Sequence, residues 1–264
     1  MESLPQFLPL YLLLGAATGF FAGLFGIGGG LIIVPALAFL FAAQTGDALM
    51  HSAIGTSLAT IIPTALSSIR AHHRHGAISW PLARRLMPGI VLGTAAGAMF
   101  ADRVDGETLR LIFGVFMLAV SLQMALGAMP AGRRALPGRA GMGAAGITIG
   151  AVSALIGIGG GTLTTPFLTW CRVELRRAIA TSAACGLPIA LTGTAAYLIA
   201  GLDATGLPPG SSGYINWPAA IAIAAASVFT APVGARLTHR LPVARLRRLF
   251  ALLLVLVALR LLWT

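Results

Sequence analysis

The sequence contains very few charged side chains. Only 9% of its 264 residues are Asp, Glu, Lys or Arg, where a soluble protein carries about 25%. Lysine is missing altogether, so all eighteen basic residues are arginines. Uncharged stretches include 7–43, 111–132, 140–171, 178–202 and 204–235. Because about 20 apolar residues cross a bilayer, this scarcity excludes a soluble fold and predicts an all-α, polytopic membrane protein.

Residues that carry catalysis or bind metals are also scarce. Cys171 and Cys185 lie outside any CxxC pattern, and we interpret them as small buried hydrophobic residues. His72, His73 and His75 share an arginine-rich connection, for which a solvated loop is favoured over a metal site. No nucleophile–base pair or metal cluster falls at one membrane depth. The sequence therefore predicts neither an enzyme nor a cofactor nor a bound metal.

The arginines define the predicted topology. They cluster in four connections, at 70–85, 133–139, 172–177 and 236–248, and the positive-inside rule makes all four cytoplasmic. This distribution explains the net charge of +11 without a nucleic-acid partner. The lipid bilayer is the expected environment.

The chain repeats itself. LFGIGGGLIIVP (Leu24–Pro35) returns as LIGIGGGTLTTP (Leu155–Pro166), and 18–37 share nine of twenty residues with 149–168. The likeness continues in three further pairs: AIGTSLATIIP (53–63) with AIATSAACGLP (178–188), Trp80-Pro81 with Trp217-Pro218, and LRLIF (109–113) with LRRLF (246–250). We expect a first transmembrane repeat at 1–128, a cytoplasmic linker at 129–139 and a second repeat at 140–264.

Each repeat divides into five apolar pieces. They are 7–26, 31–43, 48–69, 86–101 and 108–128 in the first repeat, and 140–157, 162–171, 178–200, 215–235 and 246–263 in the second. An odd number of crossings turns the second repeat over. Matching connections agree with this inversion: QTGDALMH has no arginine, whereas its counterpart CRVELRR has three. Inverted repeats are typical of secondary transporters, and both termini are predicted to be external.

The two GIGGG runs predict interrupted helices at membrane depth. Three consecutive glycines destabilise a helix, and irregular backbone survives in a membrane only where protein buries it or where it lines a cavity. The short piece after each run would begin inside the membrane, with unpaired amides and a positive dipole end that attract an anion. Close helix packing alone is the alternative explanation. The glycines spaced by four, 15–19–23 and 89–93–97, are assigned to packing.

This reasoning yields a set of candidate substrate-binding residues. Residues with hydroxyl groups, including Thr164 and Thr165, follow each run, and their hydroxyls could donate hydrogen bonds to the oxygens of an oxyanion. The candidates are Gly28, Gly29, Gly30, Thr56, Ser57, Gly159, Gly160, Gly161, Thr162, Thr181 and Ser182. A dinucleotide site is excluded, since GxGxxG would need glycine at Leu31 and Thr162. Asp47 and His51 are the only candidates for proton coupling.

In these residues the chain resembles the sulfite exporter TauE/SafE family, also called the 4-toluene sulfonate uptake permease family. The resemblance rests on the duplicated GxGGG with its following proline, the two A-x-x-TS-x(5)-P segments and the two L-R-x-x-F runs. It implies a carrier of sulfite, thiosulfate or organosulfonates in a bacterial inner membrane, with the candidates above as binding residues.

Two other functions stay open. A small carboxylate would suit the same amides, and a membrane assembly factor would have no substrate. The direction expected is export, because the membrane potential drives anions out and no clear site for a coupled cation is present.

Overall fold

A computed structural model describes residues 4–25, 29–45, 49–126, 135–237 and 243–263, with side chains at 7–22, 29–45, 49–126, 135–233 and 250–263. These residues form ten helices and one hairpin of two short strands. The helices are α1 Leu4–Phe25, α2 Gly30–Thr45, α3 Met50–Arg74, α4 Trp80–Asp102, α5 Gly106–Leu126, α6 Arg139–Ile156, α7 Gly161–Trp170, α8 Leu175–Ala200, α9 Trp217–Leu237 and α10 Val243–Trp263. The strands β1 Ser211–Ser212 and β2 Ile215–Asn216 pair antiparallel between α8 and α9.

The predicted all-α, polytopic fold with helix breaks at both GIGGG runs is confirmed. Within the described residues, four helices are long and apolar enough to cross a membrane: α3, α5, α6 and α8. The short second piece of each repeat is also present, as α2 and α7. The largest difference lies at α4, which begins at Trp80 rather than at residue 86. Arg84 and Arg85 lie in its first turns, and their charges led to the prediction that they belong to a connection. Pro81 nevertheless fits the first turn of a helix.

The spaced glycines pack helices together, as predicted. α1 lies on α9 and α4 lies on α6. A Cβ on Gly15 would fall 2.8 Å from the Ile223 Cα, and one on Gly97 would fall 2.8 Å from the Ala151 Cα. The backbones therefore touch, as small residues allow at membrane helix crossings. Gly23 lies among the residues whose side-chain surroundings are not described.

Two pairs of equivalent helices, α3 with α8 and α5 with α10, pack against each other and run antiparallel. On α3 and α8, Gly55 lies against Tyr197 and Leu58 lies against Gly193, so one helix ascends as the other descends. α5 and α10 behave in the same way: Gly114 contacts Leu262, and a groove near the other end is lined by residues 118–125 and 251–255. Antiparallel contact between equivalent helices is the arrangement that oppositely oriented repeats require. The orientation of each repeat in the bilayer stays a prediction.

Candidate functional site

Two helix breaks form the candidate site. In the first repeat α1 ends at Phe25 and α2 begins at Gly30; in the second α6 ends at Ile156 and α7 begins at Gly161. Gly157 ends α6 in the left-handed conformation, with φ 70° and ψ 32°. Its N–H bonds to the Ser153 carbonyl, which also accepts from Ile158 N at 3.1 Å. This is the backbone conformation that glycine supplies at a helix C-terminus.

The helices after the breaks begin as the sequence predicts. The Gly29 carbonyl accepts from the amides of Ile32 and Ile33, each at 3.0 Å, and the Gly160 carbonyl accepts from Thr164 N at 2.9 Å. The amides of Gly30 and Gly161 precede these first intrahelical bonds. Because the first N–H groups of a helix have no intrahelical acceptor, each start presents donors and the positive end of a helix dipole.

The two breaks touch each other in the protein interior. A Cβ added to Gly30 would lie 2.5 Å from the Gly157 oxygen and 2.9 Å from the Ile158 Cα. A Cβ on Gly157 would in turn meet Val34 at 2.9 Å and the Ile54 backbone at 3.0 Å. Gly30, Gly157 and Ile158 are all buried. The start of α2 and the end of α6, which are 127 residues apart in sequence at this contact, therefore share one location.

Ser57 fastens α3 to this location. Its hydroxyl donates to the Gly157 carbonyl at 2.8 Å, and both residues are buried. Gly29 lies on the other side of the α2 start, where a Cβ would be 3.0 Å from Ile33 and 3.6 Å from Thr18. Gly28 lies outside the described residues.

The second glycine triplet sits between α3 and α8. A Cβ on Gly160 would fall 2.8 Å from the Ser182 carbonyl oxygen and 2.9 Å from the Gly186 backbone nitrogen, so the start of α7 packs tightly against α8. A Cβ on Gly159 would lie 3.5 Å from the Ile61 side chain of α3. Ser182 donates from its hydroxyl to the Ile179 carbonyl at 2.8 Å and accepts from the Thr165 hydroxyl, also at 2.8 Å.

Thr164 adds a polar group in the first turn of α7. It is fully buried, and its hydroxyl has no hydrogen-bond partner among the described residues. Helical side chains lean toward the N-terminus of their own helix, so this hydroxyl lies over the turn that contains Gly160 and Gly161. Thr162 is half-buried at the same turn. An unpartnered buried hydroxyl beside a helix start is a feature that a bound oxyanion would explain.

Thr56 and Thr181 each take part in a long-range hydrogen bond, and their role as anion ligands stays a prediction. The Thr56 hydroxyl accepts from the backbone N–H of Asn216 at 2.9 Å, and the Thr181 hydroxyl accepts from the backbone N–H of Ser79 at 3.0 Å. Both threonines are completely buried. Each one holds the residue that precedes a Trp-Pro pair, a long-range partner that the local sequence does not reveal.

The remaining candidates lie away from the breaks. His51 is half-buried, and its Nε2 lies 2.9 Å from the Ala101 carbonyl and 3.0 Å from the Val104 carbonyl, near one end of α3; Asp47 lies outside the described residues. His73 accepts from Trp80 Nε1 at 3.3 Å. Within the described segments no three His, Cys, Asp or Glu side chains come close enough to hold a metal ion.

Sequence reasoning missed two features of the structure. It centred the second break on Gly159–Gly161, whereas the residues that meet the first break are Gly157 and Ile158. The spacing of the motif carried a signal, since the first glycine of GIGGG is where a C-terminal glycine cap would end α6. The second omission is the pair of backbone amides at Ser79 and Asn216.

Comparison with known proteins gives a consistent result. The family model described as sulfite exporter TauE/SafE matches residues 11–261. A probable membrane transporter protein of Haemophilus influenzae is 39% identical over 257 residues, which cover 96% of this chain and 97% of the relative. Probable membrane transporter proteins of Methanocaldococcus jannaschii and Bacillus subtilis are 26% and 27% identical, over 91% and 96% of this chain and 90% and 97% of theirs. No solved structure matches the chain significantly.

Proposed function

Since the chain belongs to the sulfite exporter TauE/SafE family of membrane transporters, we propose that it carries a small sulfur oxyanion or organosulfonate, such as sulfite or thiosulfate, across a bacterial inner membrane. The observation that carries this proposal is the buried meeting of two helix breaks at Gly30 and Gly157. The start of α2 lies against the end of α6 at this contact, and the starts of α2 and α7 supply peptide N–H donors, with no charged side chain among the described contacts of the breaks.

The chemistry of the site favours a strongly hydrogen-bonding anion. Sulfite and sulfonates present three oxygens, so one anion bound at a helix start can accept from several backbone amides at once, and the unpartnered Thr164 hydroxyl is a further donor at the start of α7. The described residues that contact the breaks contribute hydroxyls and aliphatic side chains, among them Thr18, Ile54, Ser57 and Ile61. The positive potential therefore comes from helix dipoles and backbone amides, which hold an anion without a permanent counter-ion.

Export is the direction that this site supports. An inside-negative potential favours exit of an anion by about 2.3 kcal/mol per charge per 100 mV, so efflux needs no coupled cation. With both termini external, the arginine-rich connections at 70–85 and 172–177 face the cytoplasm, where they raise the local concentration of anions. Conversely, import would need a cation site.

The test is flux through purified protein in liposomes. Radiolabelled sulfite that is loaded into these liposomes should leave faster than from liposomes without protein. An inside-negative potential should accelerate its exit. Acetate, loaded in parallel, tests the carboxylate alternative; faster efflux of acetate than of sulfite refutes the sulfur substrate. No flux of either anion, with correctly folded protein, favours an assembly factor.

A further inference from the structure

Two connections of the chain dock onto the opposite repeat in the same manner. One links α3 to α4 and ends in Ile78-Ser79-Trp80-Pro81; the other links α8 to α9 and ends in Ile215-Asn216-Trp217-Pro218. In each, the isoleucine is buried and the tryptophan begins the following helix. The two segments occupy equivalent positions in the two repeats.

A threonine of the other repeat holds each connection. Asn216 N donates to the Thr56 hydroxyl at 2.9 Å, and Ser79 N donates to the Thr181 hydroxyl at 3.0 Å. Thr56 and Thr181 are themselves equivalent, since each follows Ala-Ile-x and precedes serine. The two hydrogen bonds thus form a reciprocal pair that joins the repeats.

The two docked connections lie at opposite ends of the α3–α8 pair. Both threonines stand on the second turn of their helix, and the helices run antiparallel, with Leu58 against Gly193. This register places Thr56 and Thr181 roughly 20 Å apart along the pair, given a rise of about 1.5 Å per residue. The Ser57 hydroxyl bonds to the Gly157 carbonyl, and the Ser182 carbonyl lies against Gly160, so the second helix break is tied to the span between the two ends.

Further contacts close each end. At the Thr56 end, the Tyr214 ring stacks on His51 with centroids 5.0 Å apart, and the buried Ala59, Ile215 and Ala220 form a small apolar cluster. At the Thr181 end, Trp80 donates to His73 and the Ala77 amide donates to the His72 carbonyl at 3.1 Å.

We propose that these two hydrogen bonds are the gates of the transport cycle, closed together in this structure. The outer gate is the Thr56–Asn216 bond with its hairpin 211–216; the inner gate is the Thr181–Ser79 bond with the connection 75–79. Opening one gate while the other stays shut exposes the helix breaks to one face at a time. Thr56 and Thr181 are then positioning residues that select the open face rather than ligands of the substrate. The inference rests on the proposed transport function, but gate opening is measurable without any substrate.

The experiment uses the full-length protein with Cys171 and Cys185 replaced by alanine. Single reporter cysteines are placed at equivalent buried positions, Ala59→Cys beside the outer gate and Ala184→Cys near the inner gate. A membrane-impermeant thiol reagent is then applied to vesicles of either orientation. Thr56→Val should raise labelling of the reporter at 59 about tenfold, the change that about 1.4 kcal/mol of lost stabilisation produces, and only from one face. Thr181→Val should do the same for the reporter at 184, from the opposite face.

Matched variants separate gating from general loosening. Among the described residues, Thr64 bonds only to carbonyls of its own helix, at Thr60 and Ile61, so Thr64→Val should leave both labelling rates unchanged. Thr56→Ser keeps the hydroxyl and should restore slow labelling. The proposal is overturned if either valine variant exposes both reporters, if both act at one face, or if neither changes labelling.

A second measurement stays decisive if the valine variants unfold. Cysteines at Ala59 and Ile215, which share one cluster, are joined by a short thiol crosslinker. The crosslink should stop sulfite flux, and cleaving it should restore flux. Full flux through the crosslinked protein refutes the outer gate. If flux is absent before crosslinking, the proposed function is refuted, and the gates are then tested by the labelling experiment alone.

Discussion

Substituting Gly30 by alanine tests the contact between the two helix breaks. The new Cβ would lie 2.5 Å from the Gly157 oxygen, where an ordinary contact begins at 3.4 Å, so the breaks must separate by about 0.9 Å. The atoms in the way are backbone, at Gly157 and Ile158, and cannot rotate aside. Overpacking of this kind costs about 1–3 kcal/mol, and the gain in helix propensity, about 1 kcal/mol at an interior position, offsets only part of it.

The expected result is a coupled loss of stability and transport. If the strain destabilises the anion-bound state, a net strain energy of about 1–2 kcal/mol weakens sulfite binding by roughly 5–30-fold. Binding is measured by isothermal titration in detergent, and stability by denaturant unfolding in the same detergent. Gly143→Ala is the matched control: it lies inside α6, and a Cβ there meets nothing within 4 Å, so stability should hold or rise. Wild-type affinity and stability in Gly30→Ala would refute the proposed contact between the breaks.

Three further substitutions probe separate parts of the structure. Ser57→Ala removes the 2.8 Å bond to Gly157 and should lower the free energy of unfolding by about 1–3 kcal/mol, measured by denaturant titration; an unchanged midpoint would contradict the bond. Thr164→Val replaces an unpartnered buried hydroxyl, so stability should hold or rise while sulfite affinity falls about tenfold; unchanged affinity would remove this residue from the site. Gly93→Ala pushes α4 away from Ile147 and should lower the melting temperature without changing the ratio of sulfite to acetate flux, and a changed ratio would place this crossing in the site.

Local sequence predicted the elements better than their contacts. Two glycine triplets are strong enough signals to place both helix breaks, and the duplicated motifs identify equivalent helices because each repeat has nearly the same pattern. The start of α4 at Trp80 was missed because Arg84 and Arg85 look like a connection, although a helix can extend beyond the apolar core and carry charges on its first turns.

The hydroxyl partners could not be inferred from the sequence. Thr56 and Asn216 are 160 residues apart, and Thr181 and Ser79 are 102 apart. No local pattern specifies such pairs, since a threonine on a membrane helix bonds to its own backbone as readily as to another segment. Both threonines were predicted as anion ligands, a role that stays a prediction; the structure adds that their oxygens accept from backbone amides. The binding roles of the glycine amides stay a prediction.

Amide NMR of the selectively ¹⁵N-glycine-labelled protein in nanodiscs tests the proposed site most directly. On titration with sulfite, the amide signals of Gly30 and Gly161 should move in a saturable manner, with one shared dissociation constant. The amides of Gly114 and Gly143, which lie inside helices away from the breaks, should stay in place. Saturable shifts confined to glycines outside the two breaks, or no shifts in a protein that transports sulfite, would contradict anion binding by the helix starts.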